Sequence, residues 1–439
     1  MNSREFVQQF NEYPILQELE RELAAGKTRF GIQNSIGSFK SVLFAHLQKH
    51  TDRSLLILCN DQEHAEYVYT DLQVFTDHNY VFLWKDSFRR SFDLTIPEST
   101  KIQSKASVLD ALSDLDEAKI VVTYPEAFVE KIVQQETFQK SKITFKVGEE
   151  VDLDFLIEIL NEYAFYREDF VYEPGQFSIR GGIIDLFSYA SDLPFRLELD
   201  GRTIESIREF DPISQLSTRK LVRATVVPNV QESGRENGHT DIFEYLGKRP
   251  IVCAYDLPYL FAKLEKGWEK AKEKSTDEHN PTDLYFDEAS IANQLQKKPV
   301  IEFSSQTFFR PSIKLKFNQV PQPPVNKNFN LLIDTLKSLD AKKYTTLIFS
   351  ESAKQIERLE SIFDDLESGY TIQPVYKSLS EGFIDHDLKI AAYTEHQIFN
   401  RFYLAKSGKS VSTSGAISLK ELQDLNPGDY VVHIDHGIG

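Results

Sequence analysis

Cysteine is nearly absent. Cys59 and Cys253 are the only two in 439 residues, each inside an apolar run, LLILC and IVCAY. Two distant cysteines make neither a disulfide framework nor a zinc site, and they fit a reducing cytosol, where they simply pack. Long hydrophobic runs are missing too: none approaches the about 20 apolar residues that span a bilayer. The opening MNSREFVQQF lacks the apolar core and small-residue cleavage site of a secretory leader. The expectation is a cytoplasmic protein with no membrane partner. Basic charge is in deficit, 50 Lys and Arg against 67 Asp and Glu, a net of −17. A domain that tracks a nucleic-acid backbone carries a basic face, so this balance argues against autonomous DNA or RNA binding while leaving room for a local basic patch.

Catalytic constellations are absent as well. The ten histidines match neither HExxH nor a His/Cys ligand spacing, and no G-x-S-x-G elbow occurs. His433-Ile434-Asp435-His436 reads as a solvated turn rather than a metal site. No catalytic and no metal-binding residue is predicted.

What is present is core-forming sequence, 41% apolar and 27% charged, long enough for about three domains at roughly 150 residues each. Between Arg29 and Val133 strand and helix signals alternate. Phe30-Gly31-Ile32, SLLILC (54–59), YVFLW (80–84) and KIVVTY (119–124) read as strands, the second fully apolar as in a parallel sheet covered on both faces. FKSVLFAHLQKH and QEHAEYVYTDLQVF read as helices, Asp61 capping the latter, and Pro125-Glu126 opens a further helix, EAFVEKIV. Beyond Ser141 the pattern turns β-rich: KITFKV alternates, DFLIEILNEYAF is an amphipathic helix, and Asp200-Gly201 marks a hairpin within PFRLELDGRTIESIREFD. The α/β pattern resumes after about Ala224. QVPQPPVNKN (319–328) reads as a proline-rich linker and AKSGKSVSTSGA (405–416) as a flexible one. Between them LLIDTLKSL, YTTLIFS, SAKQIERLESIFDDL, IQPVYKSL and KIAAYTE form a small α/β unit, with Ser350 and Ser352 as candidate helix caps.

A nucleotide-binding α/β domain places a phosphate loop where its first strand meets its first helix. Here that loop is Asn34-Ser35-Ile36-Gly37-Ser38-Phe39-Lys40-Ser41. Gly37 is not followed directly by lysine, because Phe39 intervenes before Lys40 and Ser41, and the loop is short of the glycines that let backbone N–H groups wrap a phosphate. Gly26-Lys27-Thr28 has Arg21 where the motif needs its first glycine. The acid that should hold a metal is a lone Asp256 followed by Leu257. Gly37, Lys40 and Ser41 thus mark a degenerate site on a scaffold that does not hydrolyse ATP. The predicted fold is α/β. A degenerate P-loop/RecA-like parallel-sheet domain (1–132 and 224–319) is interrupted by a β-rich insertion (133–223). A linker (320–327), a small separate α/β domain (328–404), a second linker (405–417) and an incomplete β-module (418–439) follow.

Between Gln176 and Arg219 every basic residue is arginine: 180, 196, 202, 208 and 219. Guanidinium suits planar, bidentate carboxylate recognition, although such arginines also pair with neighbours such as Glu198, Glu205 and Glu209 across a solvated sheet. Gly181-Gly182 reads as a bulge or a close backbone approach.

Residues 173–215, EPGQFSIRGGIIDLFSYASDLPFRLELDGRTIESIREFDPISQ, resemble the signature shared by the repair protein UvrB and the transcription-repair coupling factors. The end, LNPGDYVVHIDHGIG, resembles the opening of the RNA-polymerase-interacting domain of the coupling factors, and the domain order agrees with theirs throughout. The resemblance implies an N-terminal, UvrB-like module whose ATPase is lost and which serves as the docking surface for the damage-recognition ATPase UvrA. Its two contact arginines fall on Arg180 and Arg196; a third, hydrophobic contact falls at about Asp200, after Leu199. Also implied are contact with RNA polymerase through a mostly missing downstream domain, contact with DNA through a missing motor that uses ATP and Mg, and a C-terminal domain that masks the UvrA surface in the intact protein. This segment itself would need no cofactor. The implied function is a non-catalytic adaptor recruiting UvrA to stalled RNA polymerase in transcription-coupled nucleotide excision repair, the intact protein being an ATP-dependent DNA translocase. Two alternatives stand beside it: a UvrB-like helicase fragment that still binds ATP near Gly37–Ser41 and Asp256, and a direct DNA-binding module.

Overall fold

Fully apolar runs become the inner strands of a parallel sheet. The computed structural model describes residues 3–87, 99–113, 117–229, 239–273, 275, 280–326, 328–403, 432–433 and 437–438. Along the chain come α1 (Pro14–Ala24), β1 (Arg29–Gln33), α2 (Phe39–Thr51), β2 (Leu55–Leu58), α3 (Gln62–Phe75), β3 (Val81–Leu83) and β4 (Ile120–Thr123). The insertion supplies β5 (Tyr166–Arg167), β6 (Gln176–Arg180), β7 (Ile183–Leu186), β8 (Phe195–Asp200), β9 (Thr203–Phe210) and β10 (Ser217–Leu221). Then follow β11 (Ile251–Ala254), α4 (Leu257–Glu273), β12 (Val300–Glu302) and β13 (Ile313–Lys316). The last group is β14 (Gln319–Pro321), α5 (Phe329–Ala341), β15 (Thr345–Phe349), α6 (Ala353–Asp365), β16 (Pro374–Val375), β17 (Phe383–Asp385) and β18 (Ile390–Thr394).

Seven strands pair in the order β13-β1-β12-β11-β2-β4-β3, every neighbouring pair parallel. Strands β2, β4 and β11 are buried at every residue, as expected for a sheet with helices on both faces. Cys59 and Cys253 are buried there, and burial pushes both thiols up, so they pack and do not react. The expected cap at α3 is present: the His64 N–H donates to Asp61 Oδ1 at 2.9 Å. Replacing Asp61 with alanine should cost about 1 kcal/mol; an unchanged melting midpoint would remove the cap from this account.

The insertion forms a second sheet, β10-β9-β8-β7-β6-β5, antiparallel except between β5 and β6. Its alternation puts Phe177, Ile184, Leu197 and Ile207 into the core, each at most 1% exposed, and leaves the opposite face polar.

Three expectations are corrected. The helix opened by Pro125 ends at Phe128, because Ile132–Val133 leaves it to pair with His239–Thr240. Residues 319–321, given to a linker, form β14, an edge strand on β17, where Pro321 costs no ladder bond to a central neighbour. Ser352 occupies the cap position of α6 without a side-chain cap bond; instead its N–H donates to Ser350 Oγ at 3.2 Å.

The third sheet, β14-β17-β18-β15-β16, is mixed. Residues 1–405 make one compact unit and 406–439 another. Within the first, Leu347, Phe349, Val375, Leu379 and Phe383 belong to the same continuous apolar core as the seven-stranded sheet, whereas Ile348, Ile356 and Leu359 belong to a separate core. In the second unit Val432–His433 pairs antiparallel with Gly437–Ile438; the linker and most of the β-module expected there lie outside the described residues. No helix among the described residues is long and apolar enough to cross a membrane.

Candidate functional site

Register builds the arginine face. Ser178 lies opposite Asp185, Asp185 opposite Arg196, and Arg196 opposite Arg208, a row across β6 to β9 on the polar side of the sheet. Asp185 is wholly buried, and both arginines close on it. Arg196 grips it with a two-nitrogen fork, Nε to Oδ1 at 2.7 Å and Nη2 to Oδ2 at 2.9 Å, while Arg180 Nη2 reaches Oδ2 at 2.6 Å. Hydrogen bonding to Asp185 is the main reason the Arg196 guanidinium holds its proton even more tightly than usual. Two guanidiniums against one carboxylate leave a net charge of +1 at this spot.

The two arginines are not equivalent. Arg196 is 16% exposed, donates also to Gln215 Oε1 at 3.0 Å, and lies 4.3 Å over the Phe210 ring. Its fork is spent. Arg180 is 35% exposed, commits one nitrogen to Asp185, and stacks 4.4 Å over Phe170. It is the arginine with donors left for a partner, and Arg196 with Asp185 holds it in place. Apolar surface adjoins the pair: Phe170 and Tyr172 are half-exposed, and the loop carrying Gln215 shows Ile213 and Leu216 to solvent at 77% and 69%. An arginine rimmed by aromatic and aliphatic side chains has the composition of a protein-binding hot spot.

The remaining sequence-derived residues sort clearly. Arg208 pairs with Glu198 at 2.8 Å and Arg219 with Glu209 at 2.8 Å, ordinary ion pairs of a solvated sheet. Asp200 sits exposed at the β8–β9 hairpin, four residues or about 13 Å along the strand from Arg196, and Leu199 before it packs against the core. The expected hydrophobic third contact is therefore not presented at that hairpin. At Gly182 a Cβ would stand 2.9 Å from the Leu199 carbonyl oxygen, so the Gly-Gly pair does serve a close backbone approach. Asp185 was not foreseen.

The degenerate phosphate loop lies where expected, between β1 and α2. Gly37 has φ +52°, in the left-handed region. Lys40 is half-buried with its Nζ 5.3 Å from the centre of the Tyr255 ring, and desolvation lowers its pKa. Ser41 is buried in α2. Asp256 accepts the Tyr259 N–H at 2.9 Å through Oδ1 and so holds the first turn of α4, a structural role for the metal-binding candidate. Glu302, at the end of neighbouring β12, accepts the N–H groups of Phe308 and Phe309.

One cluster of possible metal ligands exists among the described residues: Glu20 on α1 with His46 and His50 on α2. His46 Nε2, the atom that would face an ion, already contacts Glu20, and its buried Nδ1 lacks the hydrogen-bond partner that orients a metal-bound imidazole. Burial lowers the His46 pKa and keeps the ring neutral. The group reads as a helix–helix contact.

Residues 143–231 match the family model of the UvrB interaction domain. The whole chain is similar to the transcription-repair-coupling factor of Bacillus subtilis (strain 168), 23% identical over 522 residues that cover 100% of this chain and 44% of that protein. The corresponding protein of Staphylococcus haemolyticus (strain JCSC1435) is 23% identical, covering 93% of this chain and 42% of its own. The chain thus spans less than half the length of these relatives. Among solved structures, a DEAD box protein from the hyperthermophile Methanococcus jannaschii aligns over 80% of this chain and 63% of its own, with 12% identity and a TM-score of 0.28. The resemblance read from residues 173–215 therefore extends along the whole sequence.

Proposed function

We propose that this chain, similar end to end to transcription-repair-coupling factors and matched in its insertion by the UvrB interaction domain, is a non-catalytic docking module of transcription-coupled repair whose arginine face receives UvrA. The observation that carries the reading is the Arg180–Asp185–Arg196 cluster. A buried carboxylate fixes two guanidiniums on an otherwise acidic molecule, leaving one positive charge and the free edge of Arg180 beside exposed Phe170. Such an edge suits a carboxylate of the partner, and the fixed geometry spares the entropy of ordering a long side chain on binding. Contacts with RNA polymerase and DNA, ATP-driven translocation, and masking of the arginine face belong to the proposed whole protein and its further domains.

Replacing Arg180 with alanine should weaken binding of purified UvrA by about 2 kcal/mol or more, roughly 30-fold, as expected of an interface hot spot. Arg208→Ala should leave it within about threefold. Calorimetric titration reads both, and unchanged affinity for Arg180→Ala together with Arg196→Ala would sink the docking assignment. Absence of nucleotide chemistry is the second part of the proposal. It is supported by Asp256 serving as a helix cap and by Lys40 being held over Tyr255. Titration of labelled ATP with magnesium should give no saturable binding; saturation would favour the ATP-binding alternative.

A further inference from the structure

We propose that the relic phosphate loop has become a binding site for the chain's own Ser380–Glu381–Gly382 turn, so that the small domain is latched onto the first sheet at the place where a working ATPase of this architecture holds nucleotide. The first N–H groups of a helix need acceptors, and in phosphate-binding folds the ligand supplies them. Here the small domain supplies them. The Ser38 N–H at the head of α2 donates to the Glu381 carbonyl oxygen at 3.2 Å, and the Glu381 N–H returns a bond to Ser38 Oγ at 3.0 Å. Behind them Asp71 of α3, 1% exposed, gathers both elements. The hydroxyls of Ser38 and Ser380 each donate to its Oδ2 at 2.6 Å, and the Ser380 N–H donates to its Oδ1 at 2.7 Å.

The fit is tight on both sides. A Cβ on Gly37 would stand 2.9 Å from the Gly382 carbonyl oxygen and 3.1 Å from Glu381 Cβ, so the loop glycine makes room for the turn. A Cβ on Gly382 would stand 2.2 Å from Gln322 Oε1 and 2.7 Å from the Ala392 carbonyl oxygen. The small domain also holds the turn from its own side: the Gly382 N–H donates to Gln397 Oε1 at 2.9 Å, and His396 Nε2 lies 3.1 Å from the Ser380 carbonyl oxygen. Charge follows the same logic, since Glu381 brings a negative charge towards Lys40 and favours its protonated form against burial. Beside the polar latch Phe39 meets Phe383 at 5.6 Å between ring centres and Phe6 meets Phe349 at 5.5 Å, so apolar packing backs its inner side while Glu381 stays exposed. An acidic turn thus takes over the anchoring that a phosphate gives elsewhere, and the small domain gains a role in completing the first.

The test uses the full chain and hydrogen exchange at amides 378–382, with Ser380→Ala from the turn side and Gly37→Ala from the loop side. Each is expected to speed exchange there by about tenfold or more while leaving residues 176–210 unchanged. In a double-mutant cycle, Asp71→Asn and Ser380→Ala should be non-additive by about fivefold or more in the unfolding constant, as for residues sharing one network. If Gly37→Ala does not fold, Ser380→Ala and the cycle decide. Unchanged exchange in Ser380→Ala, additive effects in the cycle, or slowing of Ser38 exchange by added ATP and magnesium would each overturn the latch.

Discussion

Asp185→Ala is expected to lower the folding stability by about 3–5 kcal/mol and to abolish the proposed docking of UvrA, a larger effect than removal of either arginine it holds. The reason is asymmetry. Asp185 is wholly buried between Arg180 and Arg196, and Arg196 is only 16% exposed. Deleting the carboxylate leaves two like charges facing each other with no counter-charge, the situation in which breaking a buried pair costs most. Arg180→Ala removes a side chain that is 35% exposed, and solvent screening keeps its stability cost within about 1 kcal/mol. Urea unfolding should show the Asp185→Ala midpoint falling without a change of slope. A shift below about 1 kcal/mol would mean that the carboxylate does not organise the face.

The second large effect is a pH dependence with an unusual sign. Burial is the main cause that raises the Asp71 carboxyl from 3.8 to about 7, and Glu381 adds to it, against the bonds from Ser38 and Ser380. Tyr255 and Tyr403 also sense this carboxylate and are pushed up further by it; His396, which touches Ser380, is lowered by burial and stays neutral. Lys40 is the nearby cation of α2, facing Glu381. The folded state keeps the Asp71 proton where the unfolded chain has released it, and in that form the carboxyl O–H donates to one of the two serine hydroxyls 2.6 Å from Oδ2, which turns to accept it. Its contribution is therefore complete below about pH 4 and is lost as pH rises through 7. From 3.8 to about 7 at 1.36 kcal/mol per pH unit is roughly 4 kcal/mol. Asn mimics the protonated form. Stability of Asp71→Asn relative to the parent should therefore improve by that amount between pH 4 and pH 8, as measured by urea unfolding at the two pH values. A pH-independent difference would show that Asp71 is ionised in the fold.

Elements with strong local signals were legible in the sequence, and those fixed by distant partners were not. SLLILC read as a buried parallel strand and KIVVTY as a further strand, Asp61 announced a helix, and Asp200-Gly201 announced a hairpin. Arg180 and Arg196 came from a long motif. Asp185 escaped because IIDLF reads as an apolar strand, and only the pairing register sets its carboxylate opposite Arg196. With the pairing of β7 on β8 in hand, a lone acid on the polar face would have been signal enough. The helix expected beyond Phe128 failed because a partner strand, His239–Thr240, lies more than a hundred residues on and outweighs local propensity. The degenerate phosphate loop was visible as missing glycines, but what fills it was not, since Asp71 and Ser380 are 309 residues apart in sequence.

The net positive charge left where two guanidiniums share Asp185, on a molecule of net charge −17, also governs how a visitor arrives. An acidic protein approaching a molecule of net charge −17 meets net repulsion, and the charge beside Arg180 gives it local relief. Encounter is thereby selected for orientation at the expense of frequency. Added salt, which slows most charge-steered associations, should here quicken the approach of a negatively charged partner while loosening the complex once formed.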